Sequence, residues 1–192
     1  MKRRWPFFVG WFVCTVPVFA AFLPYENVFA VQADHIEAAE STESVSARFV
    51  PDGDSLTLTD GTEIRLIGID SPEIKDKDGR NAANASHAGL DAKAYAEYAI
   101  RAREFARAWV KDQTLRLEMD PANESISHLD KYGRMLAYVY RASDGACLNK
   151  ALVEEGLAMV YRRFEFRSKD SYLASEKLAR DAKRGFWSAA TE

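Results

Sequence analysis

The chain has 192 residues, of which 47% are hydrophobic and 29% are charged, so it can form one globular domain with a substantial core but is short for two. Its formal net charge is −3 at neutral pH. This balance argues against a stoichiometric nucleic-acid binder that depends on a basic surface, whereas an enzyme that must release its product is less constrained.

Residues 1–30 have the charge and hydropathy of an export signal. The basic run Lys2-Arg3-Arg4 is followed by an uncharged stretch over 5–25 and then by small residues suited to cleavage. We predict a signal peptide and an exported protein, periplasmic or secreted. Because about 20 uncharged residues also suffice to span a bilayer, an uncleaved membrane anchor is the alternative.

A polar linker is predicted to follow. Residues 31–46 are rich in Ala, Glu and Ser and contain few large apolar residues, which favours a flexible tether. The folded domain is expected over 47–190. Because Cys14 lies in the first apolar run, Cys147 would be the sole cysteine of a processed chain, which would have no internal disulfide.

Five segments of the domain carry strand signals. An apolar start at Phe49-Val50 is followed by the alternating segment 55–59, by Asp60-Gly61, which is a strong hairpin signal, and by a second alternating segment over 62–69. Two further segments, 114–119 and 135–140, show the same strand period. The sequence therefore predicts an antiparallel hairpin joined to additional strands.

Three segments have helical patterns. Apolar residues recur at helical spacing over 90–111, and shorter patterns cover 148–156 and 171–183. The stretch 75–89 is rich in Lys, Asp, Asn, Ala and Gly and is predicted to be a mobile surface loop. Together these elements predict a mainly β, α+β fold, a small closed five-stranded barrel that carries three helices.

The stretch from Asp52 to Glu73 contains the residue types that phosphodiester hydrolysis requires. Asp54 and Asp70 are carboxylates able to hold a hard cation, and the hairpin between them should bring them together. Arg65, and Arg134 from a later strand, can form bidentate hydrogen bonds to phosphate, while Glu73 can accept a proton from water. Each motif alone is more often structural; their joint order and spacing favour a catalytic site.

The segment from about Phe49 to Ser188 resembles the staphylococcal nuclease (thermonuclease) family. The resemblance rests on blocks that occur in one order, namely 50–54, Arg65-Leu66-Ile67-Gly68-Ile69-Asp70-Ser71-Pro72-Glu73, Asp130-Lys131-Tyr132-Gly133-Arg134, 136–139, 149–153, 156–158 and Phe186-Trp187-Ser188. It implies an oligonucleotide-binding (OB) barrel with three helices and hydrolysis of DNA and RNA with Ca²⁺, leaving 3′-phosphate ends.

The resemblance also implies a role for individual residues. Asp54, Asp70 and the backbone carbonyl of Ser71 would bind Ca²⁺, and Glu73 would act as the base or position the water. Arg65 and Arg134 would stabilise the transition state, and Lys131 and Tyr132 would contact a terminal phosphate. The implied partners are single-stranded or accessible DNA and RNA, with no obligate protein partner, and the protein is expected to be a monomer.

Some positions depart from the family pattern. Ser55 and Ser71 stand where the family usually has Thr, which preserves the hydroxyl. The aromatic pair expected after 156–158 is replaced by a run in which Phe164 and Arg162 occupy the two places, or in which Tyr161 serves after a shift of register. The stretch 75–89 is longer than in the family and follows Glu73 almost directly, so substrate access is expected to differ.

A second hypothesis is a non-catalytic oligonucleotide-binding module of the same fold. Such a module would have no need of Glu73, and the acidic charge of the chain argues against it. Loss of Lys2, Arg3, Arg4 and Glu26 with residues 1–30 lowers the Lys and Arg count from 26 to 23 and the Asp and Glu count from 29 to 28. A processed chain would therefore be more acidic still.

Overall fold

The computed structural model describes residues 44–189, and a five-stranded sheet lies at its centre. The strands are β1 (Ala47–Asp52), β2 (Ser55–Leu58), β3 (Glu63–Leu66), β4 (Ile69–Asp70), β5 (Leu115–Glu118), β6 (Met135–Arg141) and β7 (Met159–Val160). The helices are α1 (Arg80–Ala88), α2 (Ala92–Val110), α3 (Leu148–Glu154) and α4 (Lys169–Asp181), and short 3-10 turns cover Pro121–Ile126 and Gly185–Ala189.

The large sheet has the order β1-β2-β3-β6-β5, and β4 pairs separately with β7. Neighbouring strands of the large sheet are antiparallel except β3 and β6, which are parallel. Its two edges meet at one antiparallel bridge, in which Val45 and Leu115 exchange hydrogen bonds of 2.9 and 2.8 Å. Among the described residues no longer ladder joins these edges, so the sheet is an OB-like barrel with a weakly bonded seam.

The Asp60-Gly61 hairpin sets the register that the site requires. The Asp60 carboxylate accepts a hydrogen bond of 2.8 Å from the Thr62 amide, and Gly61 has a φ of +92°, which few other residues adopt. The resulting register pairs Ser55 with Arg65 and buries Leu56 opposite Ile64. Arg65 therefore lies next to the residues that precede β2.

Asn149, on α3, connects the two parallel strands to that helix. This side chain is fully buried and donates to the carbonyls of Ile67 and Ala137 at 3.0 and 3.2 Å, while its oxygen accepts from the Val139 amide at 3.0 Å. The two donated bonds satisfy backbone carbonyls at the end of β3 and within β6. One buried amide thus fixes the position of α3 against the sheet.

The C-terminal aromatic residues form a second apolar cluster. Phe186 and Trp187 are buried, and the Phe186 ring lies 5.0 Å from the ring of Tyr95 on α2. The turn approaches the chain after α3 so closely that a Cβ on Gly185 would lie 2.0 Å from the Gly156 carbonyl oxygen. The turn Gly185–Ala189 therefore packs against both α2 and the chain that follows α3.

The fold class predicted from the sequence is confirmed, with corrections to individual elements. The predicted surface loop over 75–89 was wrong in its second half, because 80–88 forms α1; the domain thus has four α-helices and not three. The last helix begins at Lys169, two residues earlier than predicted. The predicted apolar face of α2 is confirmed, because Tyr95, Ala102 and Val110 are buried in the core.

The predicted signal or anchor over 1–30 and most of the predicted linker over 31–46 lie outside the described residues. Among residues 44–189, no helix is both long and apolar enough to cross a membrane. Cys147 is a free thiol.

Asp120 should make the fold sensitive to acid. Burial opposes its ionisation, but hydrogen bonds from the Tyr138 hydroxyl and from the amides of Arg167 and Ala122 outweigh burial and hold the pKa of this carboxyl below its usual value. We expect Asp120→Asn to lower the free energy of unfolding by about 1–3 kcal/mol at pH 7, measured by urea denaturation.

The stabilisation that the Asp120 carboxylate gives the fold depends on pH. A depressed carboxyl pKa stabilises the fold above the unfolded value of about 3.9, and that contribution is lost as the pH falls through the lower folded value. The difference between parent and Asp120→Asn should therefore shrink below about pH 4. Asp181→Asn, at an exposed position on α4, is the control and should change stability by less than about 0.5 kcal/mol. An Asp120 effect that persists unchanged in acid would contradict this account.

Candidate active site

Arg65 lies at the centre of the polar cluster and is largely buried, with only 13% of its side chain exposed. Its guanidinium forms ion pairs with the carboxylates of Asp54 and of Asp70, the latter at 2.8 Å, and donates to the Ile69 carbonyl at 3.0 Å. The start of β2, the end of β3 and β4 thus converge on one cation. The hairpin brings Asp54 and Asp70 together as predicted.

Gly53 allows this convergence. A Cβ at this position would lie 2.6 Å from the Cβ of Ala102 on α2 and 2.8 Å from the Ser71 hydroxyl, closer than atoms can approach without displacement. The turn that carries Asp54 therefore packs directly on α2 and on the segment after β4. Any side chain at this position would push Asp54 away from its partners.

Ser71 fixes the second carboxylate oxygen of Asp54. Its amide donates to that oxygen at 2.8 Å, and the residue is buried. The Ser71 hydroxyl oxygen and one carboxylate oxygen of Asp52 are also buried and have no hydrogen-bond partner among the described residues. Unsatisfied buried oxygens beside two further carboxylates provide the hard donor atoms that Ca²⁺ prefers.

The composition of this donor set fits a calcium ion. In residues 44–189 there is no cluster of three or more His, Cys, Asp or Glu side chains arranged to hold a metal. The set predicted from the sequence comprises two carboxylates, of Asp54 and Asp70, completed by the main chain at Ser71, and it does not need a third side chain. In this structure the positive charge of Arg65 lies between the two negatively charged carboxylates and pairs with both.

Glu73 is held by α1. Its backbone amide donates to the Asn81 side-chain oxygen at 2.7 Å, and the Asn81 amide group donates to the Glu73 carbonyl at 2.8 Å. The Glu73 carboxylate forms an ion pair with Arg80. Burial raises the pKa of this carboxyl, and the positive charge of Arg80 opposes the rise.

Helix α1 also reaches the predicted metal ligands. The amide group of Asn84 donates to the second carboxylate oxygen of Asp70 at 2.7 Å. The helix begins where the Asp76 carboxylate accepts hydrogen bonds from the amides of Arg80 and Asn81 at 2.7 and 3.0 Å. The sequence analysis did not identify Arg80, Asn81 and Asn84 as part of the site. The signal that could have indicated their helix is Asp76, because aspartate often accepts hydrogen bonds from the unpaired amides at the start of a helix.

Arg134 joins the cluster through one hydroxyl. Its guanidinium donates to the Ser55 hydroxyl at 3.1 Å, and that hydroxyl donates to the Asp54 carboxylate at 3.2 Å. Asp130 orients Arg134 by accepting from its amide at 3.0 Å and from its guanidinium at 2.8 Å. The two arginines predicted to bind phosphate therefore lie at opposite ends of one hydrogen-bonded chain, Arg65–Asp54–Ser55–Arg134.

The residues predicted to contact the substrate lie in two groups. Lys131 and Tyr132 are exposed beside Arg134, and the Lys131 ammonium lies 4.8 Å from the Tyr132 ring centre. In the second group, the rings of Tyr161 and Phe164 contact each other at a tilt of 47°, with ring centres 4.9 Å apart. Arg162 is already engaged, because it forms an ion pair with the buried Glu176.

The chain is similar in sequence to a known protein family and to several known proteins. Residues 63–189 match the family model described as "Staphylococcal nuclease homologue". The chain is 28% identical over 143 residues to a protein of Staphylococcus hyicus named "Thermonuclease", covering 72% of each chain. It is 31% identical over 144 residues to an "Uncharacterized endonuclease" of Escherichia coli, covering 73% of this chain and 74% of that one. It is 32% identical over 145 residues to an uncharacterized protein of Methanocaldococcus jannaschii, covering 72% and 68% respectively.

The contact between Asn81 and the Glu73 backbone can be tested directly. Asn81→Ala removes both hydrogen bonds, so the Glu73 amide should exchange its hydrogen at least about fivefold faster, because a net hydrogen bond contributes roughly 1 kcal/mol. Amide exchange followed by NMR would measure this. Ser86→Ala, at an exposed position of the same helix, is the control. Equal protection of the Glu73 amide in all three proteins would show that Asn81 does not fix it.

Proposed function

Because the chain belongs to the staphylococcal nuclease family, we propose that it is an exported, Ca²⁺-dependent nuclease of DNA and RNA that leaves 3′-phosphate ends. The observation that carries the proposal is the hydrogen-bonded chain Arg65–Asp54–Ser55–Arg134, with Asp70 paired to the same Arg65. It places two cations and two carboxylates in one small, mostly buried site. A protein that only binds nucleic acid would not require these two cations and two carboxylates to lie together.

The carboxylates of Asp54 and Asp70, with the main chain at Ser71, would hold the metal ion. A bound Ca²⁺ would supply positive charge that polarises the phosphate and neutralises charge developing on it. The residues that hold it are fixed on both sides: Ser71 orients Asp54, and Asn84 orients Asp70. The site therefore presents its donor oxygens in a defined arrangement.

Glu73 would accept the proton of the attacking water. Burial raises the pKa of its carboxyl, which moves the group in the direction that makes a better general base near neutral pH. Two hydrogen bonds to Asn81 hold the Glu73 backbone, and the ion pair with Arg80 holds its carboxylate. Arg80 limits the rise of the pKa and so favours the ionised carboxylate, the form able to take a proton.

Arg65 and Arg134 would bind the non-bridging oxygens of the scissile phosphate. Burial lowers the pKa of the Arg65 guanidinium, the negative charge of Asp70 opposes this, and the positive charge of Arg134 adds to the lowering. An anion placed between them relieves this repulsion. Charge-assisted hydrogen bonds from both guanidinium groups would then stabilise the extra negative charge of the transition state as the bond to the 5′ oxygen breaks.

Accessible, unpaired strands are the preferred substrate in this proposal. Tyr132 is 64% exposed beside Arg134, and Phe164 is 38% exposed beside Tyr161, so each would offer an exposed ring to a base. Aromatic side chains stack on any base, which supports action on both DNA and RNA. The basic start and apolar run of residues 1–30 support export.

Substitutions at the base and at one phosphate clamp test the mechanism. Glu73→Gln should lower kcat on single-stranded DNA by about 10²–10⁴-fold because the proton acceptor is lost. Arg134→Ala should lower it by about 10²–10³-fold because one donor to the transition state is lost. Glu97→Gln and Arg101→Ala, at exposed positions of α2, are matched controls and should retain the parental rate. Parental rates in Glu73→Gln or Arg134→Ala would reject their assigned roles.

Calcium binding can be measured apart from activity. Titration calorimetry of the metal-free protein should show one Ca²⁺ site, and Asp54→Asn should weaken it at least about tenfold, since one charged ligand and its fixed geometry are lost. A chelator should stop hydrolysis and Ca²⁺ should restore it. Asp112→Asn, at an exposed position after α2, is the matched control. Hydrolysis that continues in chelator, or unchanged affinity in Asp54→Asn, would reject the assignment.

A further inference from the structure

A groove between β1 and α2 lies outside the catalytic cluster. It has a volume of about 340 Å³, and its lining includes Arg48 and Phe49 from β1, and Arg103, Arg107 and Lys111 from α2 and its end. The residues from α2 recur every four positions, so they form a row along one face with neighbours about 6 Å apart. Cations therefore flank the groove from both elements.

The charges in this groove are available to a ligand. Within residues 44–189, Arg48, Arg107 and Lys111 form no ion pair, whereas Arg103 pairs with Glu104 at 3.1 Å. Asp112 is the one acidic residue of the lining. Three unpaired cations concentrated beside one groove stand out in a chain whose formal net charge is −3.

The basic stretch over 162–169 differs in this respect. Arg162 pairs with Glu176, Arg167 pairs with Glu118 at 2.5 Å, and Lys169 pairs with Glu165 at 2.6 Å. These side chains would have to give up carboxylate partners before they could bind a polyanion. In the groove between β1 and α2, Arg48, Arg107 and Lys111 could bind a polyanion without first breaking an ion pair.

An exposed aromatic ring accompanies these cations. Phe49 is 60% exposed although it lies in a strand. Aromatic rings beside cationic grooves are the recurring means by which barrels of this kind hold single strands, since every base can stack on a ring while the phosphates contact cations. An anionic lipid surface would use the cations but has no comparable use for one ring set beside a groove.

The groove lies close to the catalytic cluster along β1. Phe49 precedes Asp52 by three residues in the same strand, a separation of about 10 Å. On the other wall, Ala102, one residue before Arg103, packs against the Gly53 turn that carries Asp54. One flexible strand can thus contact both places.

We propose that this groove is a second binding site for the single-stranded substrate, which holds the strand beyond the nucleotides at the catalytic cluster. The inference rests on the proposed nuclease function. It makes the enzyme favour long strands over short ones. It also adds affinity for a polyanion to a chain whose formal net charge is −3.

Binding of a fluorescently labelled single-stranded oligodeoxynucleotide to the full chain, in chelator to prevent hydrolysis, tests the site. The double variant Arg107→Glu with Lys111→Glu should weaken binding at least about tenfold at low salt. The slope of log affinity against log salt should fall by about 1.4, because each of two lost phosphate contacts contributes about 0.7 for single strands. Phe49→Ala should weaken binding about fivefold or more through lost stacking.

The control is Lys93→Glu with Arg101→Glu, which makes the same change of charge at exposed positions of the same helix outside the groove. Circular dichroism should show that all variants are folded. Equal losses in the control and the groove variant, or no loss in either, would overturn the proposal, because the effect would then be absent or due to net charge alone. Loss of binding to phosphatidylglycerol vesicles with unchanged oligonucleotide affinity would also overturn it.

Hydrolysis separates this proposal from the nuclease function. In the groove variant, kcat/KM for a long single strand should fall relative to kcat/KM for a dinucleotide, which is too short to reach the groove. If the parent hydrolyses neither substrate while the groove variant still loses oligonucleotide affinity, the nuclease proposal fails and the groove stands. If the parent hydrolyses both and the ratio does not change in the groove variant, the groove proposal fails alone.

Discussion

The pairing of Arg65 with two buried carboxylates is the constraint on which the site depends. Asp54 and Asp70 are 2% and 8% exposed, and two such anions close together would repel each other strongly in a medium that water does not fully screen. Arg65 between them neutralises both. The hairpin register, the Gly53 turn and the β4–β7 pair are the structural means of bringing these three side chains together. In the proposed mechanism, a cation bound by the carboxylates would free Arg65 to bind a phosphate, which would couple the binding of metal and of substrate through one guanidinium.

Helix α1 contributes three polar contacts to the candidate site. Asn81 holds the Glu73 backbone, Arg80 pairs with the Glu73 carboxylate, and Asn84 donates to the Asp70 carboxylate. These contacts replace flexibility next to the predicted base with a fixed arrangement. They also narrow the ways in which a substrate can approach Glu73.

Sequence patterns predicted elements whose causes are local. The Asp60-Gly61 hairpin follows from turn chemistry and the α2 stripe from its period, so both were correct, and the convergence of Asp54 with Asp70 followed from the hairpin. Helix α1 was missed because the apolar residues of Arg80–Ala88 are all alanines, and because the helix is held by Asp76 and by contacts with Glu73 and Asp70. Pairing of Arg162 with Glu176, fourteen positions away, could not be read from the sequence either. Roles that depend on such distant partners require the fold.

The close contact between Gly185 and Gly156 has a consequence for the order in which the protein can assemble. Phe186 packs on Tyr95 of the helix beside the site, so the support of α2 is complete only when residues 185–187 are present. All the candidate catalytic residues, from Asp54 to Arg134, precede these residues in the chain. A chain emerging from the ribosome therefore carries the candidate catalytic residues before it can hold them in place, and a chain truncated before Phe186 would lack this support.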